Sequence, residues 1–272
     1  MNRTLGLISA GILAFGVTHA NAAPITRVVM KVSDQAITSG GIVDPYLDWV
    51  NAVGVNEGVV GATSLTNNGI DLKDSWIDSN WGMIDSVRVA MHRDGQEVAF
   101  LEFDPAGTTK TDFFDLSNLT SSSWGTTGFP GQDTVNPYGT GQWFNIEGSP
   151  SNDRHWYVNN NWGGCGIDRG WFVVMDGTVA PGYICNWEDS GVSAVGSNSR
   201  GFMYSTFQSV PDPDYQNFND ATIGIADVFS VSVTYDDGET TGGGTVPVPG
   251  TVLLLIPGIM GFAAMRRRRT NA

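Results

Sequence analysis

Residues 86–103 read SVRVAMHRDGQEVAFLEF, and this stretch decides the fold class. Val87, Val89 and Met91 alternate with Ser86, Arg88 and His92. That period of two places successive side chains on opposite faces of a strand. Asp94-Gly95 follows, a residue pair that tolerates the positive φ of a two-residue hairpin turn. Val98, Phe100 and the run to Phe103 form the returning strand. The stretch predicts a β-hairpin, with His92 on its polar, exposed phase.

Working outward, short strand signals recur at 143–146, 155–159, 170–175 and 183–185. Near the end, Phe229, Val231, Val233 and Tyr235 alternate with Val228, Ser230, Ser232 and Thr234, a half-buried strand with one apolar and one hydroxylated face. Loops rich in Gly, Asn, Ser and Asp separate these runs. One helix is expected, starting with Asp44 as N-cap and Pro45 at the first helical position, and running through Leu47, Trp49 and Val50 to about Val53. No long period of 3.6 and no fixed repeat is present. The fold class expected is mainly β: a single β-sandwich of jelly-roll type with one short helix, over residues 23–237.

The two ends have a different character. Arg3, the apolar run from Leu5 to Val17 and the small residues of Ala20-Asn21-Ala22 occur in the order of a secretory signal peptide, so residues 1–22 are expected to be removed after Ala22. Gly242, Gly243 and Gly244 mark a flexible linker at 238–245. Then come Val246-Pro247-Val248-Pro249, an apolar segment from Thr251 to Met265, and Arg266, Arg267, Arg268 and Arg269. At about 1.5 Å per residue, that segment as a helix spans roughly 22 Å, short of a bilayer core near 30 Å, which suits a transient anchor. The arginines are expected to stay cytoplasmic, leaving the preceding chain outside.

A Pro-containing motif, a short apolar helix and a terminal Arg cluster resemble the PEP-CTERM sorting signal of Gram-negative bacteria. The resemblance covers residues 246–272, and Val248 stands where the usual Val-Pro-Glu-Pro motif has glutamate. It implies export across the inner membrane, transient anchoring, processing by an exosortase, and delivery to the cell surface or an extracellular polysaccharide matrix. It implies nothing about the preceding fold.

The chain of 272 residues holds 28 acidic and 14 basic side chains, a formal charge of −14. The five arginines of the two end segments leave nine basic residues against all 28 acidic ones, so the body at 23–245 carries −19. An acidic body excludes phosphate recognition and hence nucleic acid. It favours solubility and is compatible with divalent cations. An aromatic content of 11% excludes a disordered acidic tail.

Five of the nine tryptophans fall within 143–189, together with both cysteines and Asn159-Asn160-Asn161. In an oxidising compartment Cys165 and Cys185 are expected to pair, closing a loop of about 20 residues with a stabilisation of roughly 3 kcal/mol. Aromatic faces beside amide side chains are what sugar binding uses, so Trp156, Tyr157, Asn159, Asn160, Asn161 and Trp162 are candidates for a glycan surface. The competing role is core and turn.

Asp212, Asp214 and Asp220, and separately Asp236, Asp237 and Glu239, lie in loop-like stretches that suit a structural calcium ion without matching an EF-hand. No Gly-x-Ser-x-Gly or His-Glu-x-x-His motif occurs. A glycosidase needs only two carboxylates, and Glu147, Asp153, Asp168 and Glu188 are the candidates nearest the aromatic stretch. The leading expectation is a non-enzymatic, exported structural or adhesive protein. The alternatives are a secreted carbohydrate-active enzyme and a calcium-stabilised adhesion module.

Overall fold

The hairpin anticipated at 86–103 forms as β3 and β4. The computed structural model describes residues 23–34, 42, 44–129, 134–135, 141–149, 154–161, 166, 168–175, 185, 201–207 and 215–236. Their strands are β1 (Ile25–Ser33), β2 (Leu72–Lys73), β3 (Ile84–Arg93), β4 (Gln96–Phe103), β5 (Leu119–Ser122), β6 (Thr134–Val135), β7 (Gly141–Gln142), β8 (Phe144–Asn145), β9 (Arg154–Asn161), β10 (Arg169–Met175), β11 (Gly201–Tyr204), β12 (Gln216–Asn217), β13 (Gly224–Ala226) and β14 (Val228–Tyr235). Asp94 and Gly95 have φ of 53° and 77°, as the two-residue turn requires. The signal peptide 1–22, the linker 238–245 and the sorting segment 246–272 lie outside the described residues. Among the described residues, no helix is long and apolar enough to cross a membrane.

The body is mainly β, with two antiparallel six-stranded sheets. The first has the order β2-β1-β14-β3-β4-β5; the second runs β13-β11-β10-β9-β8, with β12 beside β10. Phe229 of β14 brings the two sheets into one core: its ring centroid lies 5.1 Å from that of Trp156 on β9 and 6.0 Å from that of Phe202 on β11. The expected jelly-roll order is not the one observed. A jelly roll sends successive strands to opposite sheets, whereas β3-β4-β5 and β8-β9-β10-β11 are neighbours in both chain and space. Short connections favour such meanders.

The expected helix forms as α1 (Pro45–Val50), with the Asp44 side chain accepting from the Leu47 N–H at 2.8 Å. It stops before Val53, because Asn51 is already extended with ψ 146°. Its Trp49 packs edge-on against Trp156 at 5.4 Å. A second helix, α2 (Trp76–Asn80), carries Asp78, which pairs with Lys73 at 3.1 Å and also with Lys110.

The outer face of the first sheet is covered at its hairpin end by residues 66–71. Lys31 donates to the Asn68 side chain, Asn67 Nδ2 donates to Asp34 at 2.5 Å, and the Asp71 carboxylate accepts from the backbones of Ser33 and Ile42, both at 2.9 Å. His92, expected to be exposed, is only 4% exposed. Its Nε2 lies 2.9 Å from Ser230 Oγ, on the hydroxylated face of β14. Burial lowers the imidazole pKa, outweighing the carboxylates of Glu97 and Asp227.

Candidate functional site

Three of the six aromatic and asparagine candidates for a sugar surface are buried. Trp156, Tyr157 and Asn159 are each 0% exposed. A bulge in β9 explains how two adjacent rings become buried. Phe172 pairs with Val158 and Val174 with His155, so Val173 alone faces both Trp156 and Tyr157. Trp156 takes φ 47° there and joins the core between the sheets. Tyr157 turns to the other face of the second sheet, where it stacks on Trp143 at 5.5 Å and packs with Phe218 and Met203. That burial pushes the Tyr157 phenol pKa upward. Asn159 ties neighbouring backbone together, with its Oδ1 accepting from the Trp143 N–H at 2.6 Å and its Nδ2 donating to the Gly141 carbonyl at 3.2 Å. Asn160 and Asn161 are half-buried. Trp162 lies outside the described residues.

Of the four carboxylate candidates for catalysis, Glu147 and Asp168 lie among the described residues. Asp168 is 0% exposed and pairs with Arg154 Nη1 at 3.1 Å, whereas Glu147 is exposed. A carboxylate held in a buried ion pair is ill-suited to exchange protons with a substrate. Asp153 and Glu188 lie outside the described residues. Cys185 is buried beside this pair, its sulfur 3.6 Å from Arg154 Nη2 and 3.8 Å from Asp168 Oδ2. Cys165 lies outside the described residues. Among the calcium candidates, Asp220 accepts from both the N–H and the hydroxyl of Thr222 at 2.9 Å, and these bonds, the backbone one first, hold its pKa down. Asp236 is exposed, and Asp212, Asp214, Asp237 and Glu239 lie outside the described residues. Among the described residues, no group of three or more His, Cys, Asp or Glu is placed to hold a metal ion.

A groove not among the sequence candidates lies along β1. This strand pairs with β14 over its whole length, from Ile25 opposite Tyr235 to Ser33 opposite Val228. On its other side β2 pairs only with Met30 and Lys31. The last backbone bond on that side runs from the Asp74 N–H to the Val29 carbonyl, at 2.8 Å. The chain then leaves the sheet. Asp74 Oδ1 accepts from the Trp76 N–H at 3.0 Å to open α2, while Oδ2 accepts from Arg27 Nε at 2.7 Å and from Nη2 at 2.5 Å. The Arg27 guanidinium lies over the Trp76 ring, 4.8 Å from its centroid.

Residues 25–28 therefore have a strand on one side only, among the described residues. A groove of about 620 Å³ follows their open side, lined by Ile25, Arg27, Val59, Val60, Asp74 and Tyr235 among others. Val60 is 94% exposed at the tip of the opposite wall. Gly58 and Gly61, with φ of 77° and 83°, let the chain turn around this valine pair. Glu57 stands in the same wall, its carboxyl pKa lowered by hydrogen bonds from Ser75.

No family model, curated protein or solved structure matches this chain. Its chemistry is therefore read from its own residues. The groove combines unpaired strand backbone, apolar side chains and charge, and it was not anticipated. Its sequence signal is the Gly-bracketed pair Val59-Val60 within an otherwise polar loop. What leaves β1 open is the departure of the chain at Asp74, which no local pattern announces.

Proposed function

We propose that the chain is an exported protein of the cell surface or extracellular matrix, with a structural or adhesive role, whose body is a β-sandwich of two meandering sheets. It is exported with removal of residues 1–22, held briefly in the membrane by residues 246–272, and released by an exosortase-type enzyme acting on the Val246–Pro249 region. The observation that carries this reading is the layout of the sequence, with an apolar leader ending in Ala20-Asn21-Ala22 and a Pro-containing, apolar and Arg-rich tail at 246–272. Ile25 lies opposite Tyr235, so the β-rich body starts and ends at one end of one sheet. While the tail is still in the membrane, its pull enters the body through β14. That strand is central, bonded along its length to both β1 and β3, and is thus suited to bear it.

The Cys165–Cys185 pairing belongs to this reading, supported by the buried position of Cys185. Glycan contact is retained only for Asn160, Asn161 and Trp162, and a structural calcium only for the acidic residues outside the described set. The test is removal of Arg266 to Arg269. Altered processing or membrane retention is expected, and unchanged surface delivery would contradict the exosortase reading.

A further inference from the structure

We propose that the open edge of β1 at residues 25–28 is a β-augmentation site, which takes an extended apolar and basic peptide segment of a partner protein as an added strand. The inference goes beyond the export reading and stands on the groove alone. Failure of peptide binding would leave that reading untouched, and failure of export would leave this one.

The edge itself specifies the class of ligand. An unpaired strand presents N–H and C=O groups at the spacing of a neighbouring strand, and an extended polypeptide supplies their complement. The free stretch of four residues is about 13 Å long at roughly 3.3 Å per residue, which suits a short segment. The incoming segment would continue the track of β2 beyond the point where Asp74 leaves it. The strand's other side is already filled by β14, so only one position is open.

The walls specify its character. Val59, Val60 and the half-buried Tyr235 offer apolar surface to alternate side chains of an added strand. The charged lining is two carboxylates, Glu57 and Asp74, against one guanidinium, Arg27, and Arg27 is already paired with Asp74. Glu57 is therefore the charge that a ligand meets, on a body that is strongly acidic. Both favour lysine or arginine in the segment and disfavour acid. A second copy of this chain is a poorer occupant. Both copies carry the same strongly acidic body, so their edges meet against like-charge repulsion.

The test uses the full chain, purified in mild detergent, and three acetylated and amidated octapeptides. The first alternates valine with lysine, the second alternates valine with glutamate, and the third is the lysine peptide N-methylated at alternate residues. Affinity and the hydrogen exchange of the amides at residues 25–28 are measured. The lysine peptide is expected to bind and to slow exchange at 25–28. The glutamate and N-methylated peptides are expected to bind at least about tenfold more weakly, since N-methylation removes the backbone bonds that an added strand makes. Val60→Lys changes a side chain exposed in the folded protein and is expected to weaken the lysine peptide without altering the melting temperature. Unchanged exchange at 25–28 with the lysine peptide, or equal binding of the N-methylated peptide, overturns the proposal.

Discussion

At the scale of single residues, Trp156 carries the most. A non-glycine residue at φ 47° is costly, by roughly 1–3 kcal/mol, and persists only where its surroundings hold it. Here they do: its ring contacts Trp49, Phe113, Phe114 and Phe229. Trp156→Ala is expected to lower stability by about 3–5 kcal/mol in urea unfolding, the usual cost of emptying such a site. His92 makes a pH prediction. Its pKa in the folded protein is depressed below the ordinary 6.5 by burial, so the unfolded chain binds the proton more readily. Stability is expected to be complete above about pH 6.5 and to fall as the pH drops below it. His92→Gln should flatten that part of the profile, measured as melting temperature against pH. Neither residue's environment was legible in the sequence. Alternation put His92 on the polar face of its strand correctly, but residues 66–71 cover that face, and nothing in the local pattern announces a covering loop. For Trp156, the bulge and the burial of both faces of the second sheet remove the contrast that alternation depends on.

At the scale of elements, the sequence was most legible where one face of a strand is apolar and the other polar. The β3-β4 hairpin and β14 follow from alternation and turn chemistry, and α1 follows from its Asp44 cap and Pro45. The second sheet was only outlined, because β9 and β10 are buried nearly throughout. Their close approach sets a demand at Gly170. A Cβ there would stand 2.6 Å from the Val158 carbonyl oxygen and 2.8 Å from the Asn159 Cα. Both are backbone atoms and cannot rotate away. Gly170→Ala is therefore expected to cost about 1–3 kcal/mol or more, seen as a lowered urea midpoint. The opening beside β1 escaped the sequence for a related reason: it depends on where β2 ends, and that end is set at Asp74 by its ion pair with the sequence-distant Arg27, beside the local bond it accepts from the Trp76 N–H.

At the scale of the whole molecule, the charge of −14 divides into an acidic body and cationic end segments, a division visible in the sequence alone. The sugar-surface reading lost three of its six residues, since Trp156, Tyr157 and Asn159 build the body instead of facing outward. If Cys165 and Cys185 pair after export, reduction should lower stability by roughly 3 kcal/mol, measured by unfolding with and without reductant. An unchanged midpoint would remove the disulfide from the proposal. The central claim concerns where this body ends up and how its ends are treated. It is tested most directly by the intact mass of the protein recovered from the surface and extracellular fractions of the cells that make it. The expected species begins at Ala23 and has lost the arginines at 266–269. Recovery only of the uncut chain, Met1 to Ala272, from the cytoplasm would contradict the claim.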